Sequence, residues 1–335
     1  MNKFSLTVNR EVWPLAKPFV IARGSRIETE VVKVTIHQND LVGTGESVPT
    51  PRFGESVESV IEAIKSVEEM LAAHNDDIDN CREQLQQWLP AGAARNALDC
   101  ALWDLNAKIK QRHVSEQLNF AEPKNITTVQ TISIDSPENM GKAAALLKDF
   151  PLLKIKLNQE QIIERLNAVH ENAPNAKLLI DANESWDIDL LEQVDNSVKH
   201  LPILLIEQPL QAGEDDILRK KIFSFPIGAD ESCHTHKDIP YLAQRYDVVN
   251  IKLDKSGGLT EGVKLAKFAK AYGMQVMVGC MVGTSLSMAP GLILATQASY
   301  VDLDAPLLIK KDRPFGIQIN KGNIKCLPPE LWGHP

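Results

Sequence analysis

The feature that most constrains the fold is a repeat of strand and helix units that runs from about residue 127 to residue 306. Eight short apolar segments recur in it, and each is followed by a polar loop and a stretch of helical character. They read TTVQTISI, LLKIKL, KLLIDAN, ILLIEQP, PIGADES, VVNIKLD, MQVMVGC and SYVDLDAP. Successive strand ends lie 22 to 27 residues apart, the length of one strand plus one crossover helix.

Near-continuous apolar strands are typical of a parallel sheet that is covered on both faces. Eight such units predict an α/β fold with a closed (β/α)8 TIM-type barrel rather than an open doubly wound sheet. The motif GxGxxG does not follow the first strand, which weakens the dinucleotide-binding alternative. We therefore expect functional groups at the carboxyl ends of the barrel strands.

The chain before the barrel has a different pattern. Three segments, FSLTVNREVWPL, TEVVKVTIHQ and LVGTGESVP, predict antiparallel strands, and two amphipathic helices follow over about 57–71 and 98–109. The tail PFGIQINKGNIKCLP predicts a strand, a turn and a strand that pack back onto this first unit. The sequence thus predicts an α+β capping domain at 1–115, the barrel at 116–306 and a C-terminal segment at 307–335 that completes the capping domain.

Composition narrows the class of function. The 335 residues carry a formal net charge of -8, which argues against a nucleic-acid partner or an anionic membrane surface, so a small-molecule substrate is expected.

Five scattered cysteines without a CxxC pair, together with an N-terminus that lacks a signal-peptide pattern, predict free thiols and a cytoplasmic location. The charge-free stretch between Lys270 and Asp302 is broken by glycine, proline and polar residues, so we expect buried elements and no membrane span there.

Two lysines interrupt the second barrel strand. Lys154 and Lys156 of LLKIKL point to the same face because side chains alternate along a strand. Two ammonium groups on one face repel each other, and burial of an unpaired charge is costly. The pair is therefore expected either at a solvated strand end or with a depressed pKa, which would make a lysine a usable base.

Carboxylates end the next three strands. Asp181, Glu207 and Asp230 would converge as oxygen ligands, a donor set that suits Mg2+. Lys252 ends the sixth strand and would face the lysines of the second strand across the barrel mouth. This arrangement suggests removal of a proton α to a metal-bound carboxylate, stabilisation of an enediolate, and return of a proton from the opposite side. Two bases on opposite faces invert a stereocentre.

Motifs at these positions resemble the enolase superfamily, muconate-lactonizing subgroup. They are KxK at Lys154 and Lys156, DxN at Asp181 and Asn183, EQP at Glu207, DES at Asp230 and NIKLDKSGG around Lys252. Within that subgroup the segments WPLAKPFVIARGSR, GTGESVPTPRFGES, LPAGAARNALDCALWDL and ADESCHT are similar to dipeptide epimerases. The resemblance covers nearly the whole chain.

The resemblance implies a role for each residue. Lys156 and Lys252 would be the two acid/base catalysts, and Lys154 would lie near the substrate carboxylate and lower the pKa of Lys156. The implied Mg2+ ligands, one ion per subunit, are Asp181, Glu207 and Asp230, with Asn183 in support.

The resemblance also implies how the two ends of a dipeptide would be recognised. Asp302 and Asp304 match a DxD pair that binds the α-ammonium of a dipeptide. Arg26 matches a capping-domain arginine that binds the acidic side chain of the second residue.

The implied activity is a Mg2+-dependent isomerase reaction that interconverts L-Ala-D-Glu and L-Ala-L-Glu, a step of murein peptide recycling. Proton transfer at the α-carbon of the second residue would pass through a metal-stabilised enediolate. A small-molecule dipeptide is the implied partner, and a homo-oligomer stays open.

Two departures from the subgroup pattern bear on the alternatives. GCMVGTS carries Gly283 and Thr284 where many relatives have a glutamate, which argues against o-succinylbenzoate synthase and N-succinylamino acid racemase. Ala305 follows the DxD pair where glycine is usual, and its methyl group could narrow the pocket for the first residue. A cycloisomerase, and a non-enzymatic binding protein on the same scaffold, remain as further alternatives.

Overall fold

The computed structural model describes residues 4–335 apart from the side chain of Lys220. The chain begins with an antiparallel sheet of three strands, β1 (Phe4–Ile21), β2 (Gly24–Gln38) and β3 (Leu41–Ser47). A 3-10 helix (Pro51–Phe53) and five helices follow: α1 (Val57–Ser66), α2 (Glu68–Ala73), α3 (Ile78–Trp88), α4 (Ala93–Lys110) and α5 (Val114–Leu118). The three strands are confirmed. The first expected helix is divided at Val67, the second begins five residues earlier than its apolar pattern indicates, and α3 was not predicted.

Helix α4 packs closely against β3, and two glycines of β3 permit this approach. A Cβ atom on Gly43 would lie 2.3 Å from the carbonyl oxygen of Ala101, and one on Gly45 would lie 2.1 Å from that of Ala97. Both distances are far below van der Waals contact, and the obstructing atoms belong to the helix backbone. The sheet and α4 enclose the core of the capping domain, in which Val34, Ile36 and Leu98 are completely buried.

We expect Gly45→Ala to destabilise the protein by about 1–3 kcal/mol, because the helix backbone must move to admit the methyl group. Gly291→Ala is a matched control: its added Cβ would make an ordinary contact at 3.4 Å in a buried helix, where alanine is favoured over glycine by about 0.5–1 kcal/mol. Urea unfolding of the two variants measures the difference. Equal stability of Gly45→Ala and the parent protein would contradict the close packing.

Strand β4 (Lys124–Thr127) precedes the eight barrel strands. These are β5 (Gln130–Ile132), β6 (Leu152–Lys156), β7 (Lys177–Asp181), β8 (Ile203–Glu207), β9 (Ile227–Ala229), β10 (Val248–Lys252), β11 (Gln275–Gly279) and β12 (Tyr300–Val301). They pair in sequence order and in parallel. The backbone amide of Val129, just before β5, donates to the carbonyl of Val301 at 3.1 Å and so joins the last strand to the first. The closed eight-unit barrel is confirmed.

Helices and 3-10 turns cover the outside of the barrel. They are α6 (Pro137–Leu146), α7 (Ile162–Asn172), α8 (Ile188–Ser197), two 3-10 helices (Asp216–Lys220 and His236–Asp238), α9 (Ile239–Leu242), α10 (Leu253–Ser256), α11 (Leu259–Ala271), α12 (Ser285–Ala295) and α13 (Ala305–Leu308). The charge-free stretch of the sequence forms β11 and the fully buried α12, as expected. Among the described residues, none of the helices is both long enough and apolar enough to cross a membrane.

The C-terminal segment contacts both parts of the molecule. Its hairpin, β13 (Ile319–Asn320) and β14 (Asn323–Cys326), pairs with β4, the strand that precedes the first barrel strand, and not with the strands of the capping domain. Flanking residues do reach the capping domain: Arg313 pairs with Glu46 at 2.6 Å, and the indole of Trp332 donates to the carbonyl of Cys100 at 3.1 Å. The division into 1–115, 116–306 and 307–335 stays a prediction.

Candidate active site

Three buried carboxylates lie together at the carboxyl ends of β7, β8 and just after β9. Oxygen atoms of Asp181, Glu207 and Asp230 lie within 4.8 Å of one another, and each side chain is at most 2% exposed. Within residues 4–335, Oε2 of Glu207 makes no well-directed hydrogen bond and one ion pair, with Lys154. Three hard oxygen donors that converge in this way fit Mg2+. The sequence-predicted ligand set is therefore brought together as expected.

The chain after β7 is held in an unusual conformation that orients Asp181. Asn183 and Glu184 both have left-handed backbone angles, with φ of 44° and 66°, which is uncommon for residues other than glycine. The amide of Asn183 donates to Oδ1 of Asp181 at 2.9 Å. Asn183, expected as a supporting residue, thus fixes one carboxylate oxygen, and the other, Oδ2, pairs with Lys154 and Lys156.

Asp230 is positioned from two sides. Its backbone amide donates to Oε1 of Gln208 at 2.8 Å, while its Oδ1 atom accepts from Lys255 Nζ at 2.6 Å. Lys255 is only 2% exposed and also reaches the carbonyl of Asn250. The sequence analysis did not select Lys255 as a functional residue. Its neighbours Asp254 and Ser256 are polar, so the sequence carries no local signal that this lysine is buried.

The predicted catalytic lysines lie on opposite sides of the carboxylates. Lys156 Nζ lies 2.6 Å from Oδ2 of Asp181, and Lys252 Nζ lies 2.6 Å from Oδ2 of Asp230. Their strands, β6 and β10, are separated by three strands in each direction around the eight-stranded barrel. A group held over the carboxylates is therefore accessible to one ammonium from each side.

Lys154 is buried and fully paired. Its ammonium contacts three carboxylates, Asp181 at 3.0 Å, Glu207 at 2.7 Å and Asp302 at 2.7 Å. Burial works to lower the pKa of Lys154, but these carboxylates outweigh it and raise the pKa well above its ordinary value. Neither sequence expectation for this lysine, a solvated strand end or a depressed pKa, is correct, because its partners come from other strands.

Burial and neighbouring charges also shift the pKa values of Lys252, Asp181 and Glu207. Burial opposes the charge of Lys252, yet the carboxylate of Asp230 outweighs this effect and raises the pKa of the lysine. Burial would raise the pKa of Asp181, but Lys154 and Lys156 lower it. Glu207 is the exception: burial and the neighbouring Asp181 raise its pKa to about 8. The cluster therefore disfavours a third negative charge until a further cation joins it.

Asp302 and Asp304, the DxD pair, follow β12, and both carboxylates have hydrogen-bond partners within the protein. Asp302 accepts from Lys154, and Oδ2 of Asp304 accepts from the amide of Thr131 at 2.6 Å. Both side chains are buried, at 5% and 3% exposure. Burial and the adjacent Asp302 carboxylate raise the pKa of Asp304 to about 7.

Arg26 extends from the capping domain over Phe19. Its guanidinium carbon lies 5.5 Å from the centroid of the Phe19 ring, and Lys156 Nζ lies 5.9 Å from the same centroid. In the part of the chain that the structure describes, no carboxylate is within ion-pairing distance of Arg26. The structure therefore places an exposed cation, without an anionic partner among the described residues, near the predicted catalytic residue Lys156.

Two family models match most of the chain. The mandelate racemase / muconate lactonizing enzyme N-terminal domain matches residues 3–118, and the enolase C-terminal domain-like model matches residues 139–316. The matched regions contain Arg26 and all of the strand-end residues discussed above.

Individual proteins agree with the models. The chain is 44% identical to the L-Ala-D/L-Glu epimerase of Escherichia coli, over 96% of this chain and 99% of that protein. It is 45% identical to the N-acetyl-D-glutamate racemase of a Pseudoalteromonas species, over 90% and 95%. An enolase family member from Agrobacterium tumefaciens with homology to dipeptide epimerases, solved with sodium and L-Ala-L-Glu, is 42% identical with a TM-score of 0.95 and coverage of 99% and 100%. The chain therefore belongs to the mandelate racemase/muconate lactonizing enzyme family of the enolase superfamily.

Proposed function

We propose that the protein is a Mg2+-dependent isomerase that interconverts L-Ala-D-Glu and L-Ala-L-Glu. The observation that carries this proposal is the placement of Lys156 and Lys252 on opposite sides of three buried carboxylates. One lysine removes the α-proton of the glutamate residue, and the other delivers a proton to the opposite face. Epimerisation needs both, whereas a cycloisomerase or a dehydratase needs one base.

Each group of residues at the barrel mouth has a separate role in the proposed reaction. Asp181, Glu207 and Asp230 would hold the Mg2+ ion, which supplies positive charge against the negative charge that develops on the substrate carboxylate. Lys255 and Gln208 orient Asp230 from behind. Since the acid/base lysines and the carboxylates belong to rigid strand ends, their spacing is set before the substrate binds.

Two charged groups of the chain support a dipeptide with an acidic second residue. Arg26 has no carboxylate partner within the described residues, so it can pair with the side chain of glutamate. Asp302 and Asp304, which directly follow β12, can bind the α-ammonium of the first residue.

A second candidate is the racemisation of an N-acylated glutamate. It is supported by the similarity to N-acetyl-D-glutamate racemase and by the engagement of the DxD pair. Asp302 already accepts from Lys154, and Asp304 already accepts from the amide of Thr131. A pocket whose carboxylates are partly neutralised admits an uncharged acyl group more readily than two free carboxylates would.

The test follows the glutamate α-proton by NMR in D2O with Mg2+, on L-Ala-L-Glu, N-acetyl-L-glutamate and L-Ala-L-Gln. We expect loss of the α-proton of L-Ala-L-Glu with growth of the L,D diastereomer, and at least about tenfold lower kcat/KM for L-Ala-L-Gln, because Arg26 selects the carboxylate. Arg26→Gln should remove most of that preference. Faster exchange of N-acetyl-L-glutamate than of L-Ala-L-Glu would favour the racemisation of N-acylated glutamate. If none of the three compounds exchanges its α-proton, both proposed functions are contradicted.

The cellular location and the biological role of the protein are also proposals. Five free thiols, at Cys81, Cys100, Cys233, Cys280 and Cys326, support a cytoplasmic location. A dipeptide of alanine and glutamate is a fragment of murein, which supports a role in murein peptide recycling. A homo-oligomer stays a prediction.

A further inference from the structure

The tip of the β1–β2 hairpin carries two arginines with different surroundings. Phe19 of β1 pairs with Arg26 of β2, and Ile21 pairs with Gly24, so Arg23 lies in the turn itself. Arg26 has no anionic partner among the described residues, whereas Arg23 is paired with the barrel. The two guanidinium groups are three residues apart on one short loop.

Arg23 binds three acceptors at the barrel mouth through one nitrogen. Its Nη1 atom lies 2.7 Å from Oε1 of Glu231, 3.1 Å from Oε2 of Glu184 and 3.1 Å from the carbonyl oxygen of Asn183. The two carboxylate side chains are only 2% and 7% exposed. Ion pairs with buried carboxylates are better defined than those at a free surface, because solvent screens them less.

The acceptors of Arg23 are themselves fixed. Glu184 is also held by Arg52 of the capping domain, at 2.7 Å from Oε1 and 2.9 Å from Oε2, and by the amide of Ala212 at 2.9 Å. Asn183 and Glu184 form the left-handed turn that follows Asp181. Glu231 follows Asp230 directly. Arg23 therefore attaches the hairpin to the same strand ends that carry two of the proposed metal ligands.

Two further hydrogen bonds hold the hairpin to the barrel on either side of its exposed tip, one of them at Val20, which pairs with Ser25. The carbonyl of Val20 accepts from the amide of Ile134 at 3.1 Å, and the hydroxyl of Thr29 donates to the carbonyl of Val282 at 2.6 Å. The residues from Arg23 to Glu28 are exposed. Within that described stretch, the ion pairs and hydrogen bonds to the barrel come from Arg23.

We propose that Arg23 is a positioning residue for substrate selection, which holds the hairpin tip on the barrel so that Arg26 stands over the mouth. This inference rests on the proposed function, since it assigns the selection of an acidic second residue to a pair of arginines. Arg26 contacts the substrate, and Arg23 acts through Arg26. The acid/base lysines belong to β6 and β10. When Arg23 is lost, Glu184 keeps its bonds from Arg52, and Glu231 keeps its bond from Asn183 Nδ2, so the strand ends beside these lysines stay held.

Arg23→Gln tests the inference, with Arg10→Gln as the matched control. Arg10 is on β1 of the same hairpin, is exposed, and pairs only with Glu30 in the described part of the chain. We expect Arg23→Gln to raise KM for L-Ala-L-Glu by about tenfold with little change in kcat, and to lower the preference for L-Ala-L-Glu over L-Ala-L-Gln by about the same factor. In Arg26→Gln the additional change Arg23→Gln should leave that preference unaltered, because the two residues act as one unit.

A readout that needs no turnover separates this inference from the proposed function. Hydrogen exchange of the amides of residues 24–28 should accelerate in Arg23→Gln and not in Arg10→Gln. Exchange as slow as in the parent protein would overturn the anchoring role, whichever substrate the protein uses. Faster exchange with an unchanged preference, or additive losses in the double variant, would overturn the action through Arg26. A parent protein inert toward both dipeptides would contradict the proposed function, and hydrogen exchange alone would then decide whether Arg23 anchors the hairpin.

Discussion

Lys252→Ala is expected to abolish epimerisation in both directions and to leave α-proton exchange with solvent in one diastereomer. A two-base reaction inverts the α-carbon because each lysine serves one face. With Lys252 removed, Lys156 can still remove and return a proton on its own side. The loss of epimerisation should be at least about 10³-fold, which is within the range for removal of a positioned acid/base group. NMR in D2O on each pure diastereomer measures exchange and inversion separately.

The structure suggests that this variant folds. Asp230, which loses Lys252, keeps the ion pair with Lys255 at 2.6 Å, so no unpaired buried charge is created. Lys177→Ala is the matched control, because Lys177 is exposed and begins β7 at the opposite end of the barrel. Lys156→Ala should show the mirror result, with exchange retained in the other diastereomer. Exchange of both diastereomers in either variant would contradict the two-base scheme.

Much of this site could be predicted from sequence because a parallel barrel converts linear spacing into geometry. Strand ends that recur every 22 to 27 residues must meet on one rim. Asp181, Glu207 and Asp230 therefore converge, and Lys252 faces Lys156 across them. Residue type and position along the chain were sufficient for these contacts, since the barrel fixes the direction of each strand.

Other contacts of the site could not be predicted in the same way. Lys154 was expected to be solvated or neutral, yet Asp302 from the last strand and Glu207 from the fourth keep it buried and charged. Arg23 reaches Glu231 across 208 positions of sequence from a hairpin whose orientation no periodicity reveals. The ion pair of Arg23 depends on how the capping domain sits on the barrel, which the strand pattern does not determine.

The C-terminal hairpin shows a second limit. The sequence predicted its strand, turn and strand correctly, but it did not predict the strand with which the hairpin pairs. The partner, β4, has only four residues and lacks the apolar alternation that marks the strands of the capping domain. Short edge strands are chosen by tertiary packing more than by their own propensity.

Glu207→Gln is expected to weaken Mg2+ binding by at least about a hundredfold, which corresponds to about 2.7 kcal/mol. The change keeps the shape of the side chain, and the amide oxygen can still accept from Nδ2 of Asn250, which lies 2.7 Å from Oε1 of Glu207. It removes one of three anionic donors from a site whose affinity for a divalent ion depends on them. Calorimetry with Mg2+ gives the affinity, and epimerase activity should fall in parallel. Glu192→Gln, in an exposed ion pair on α8, is the control.

The same substitution should stabilise the protein in EDTA, because a buried carboxylate without a bound metal ion destabilises the folded state. The pKa of Glu207 is raised to about 8 by burial and by Asp181, so the folded chain holds a proton that the unfolded chain releases above its ordinary pKa of 4.5. The resulting penalty is absent below pH 4.5, grows as the pH rises, and is complete above about pH 8. In EDTA the Tm of Glu207→Gln should therefore exceed that of the parent protein by more at pH 8.5 than at pH 5.5, and Mg2+ should raise only the parent's Tm. A variant less stable than its parent at both pH values would show that Glu207 contributes to folding through Lys154, and the carboxylate cluster would then be a structural ion-pair network and not a metal site.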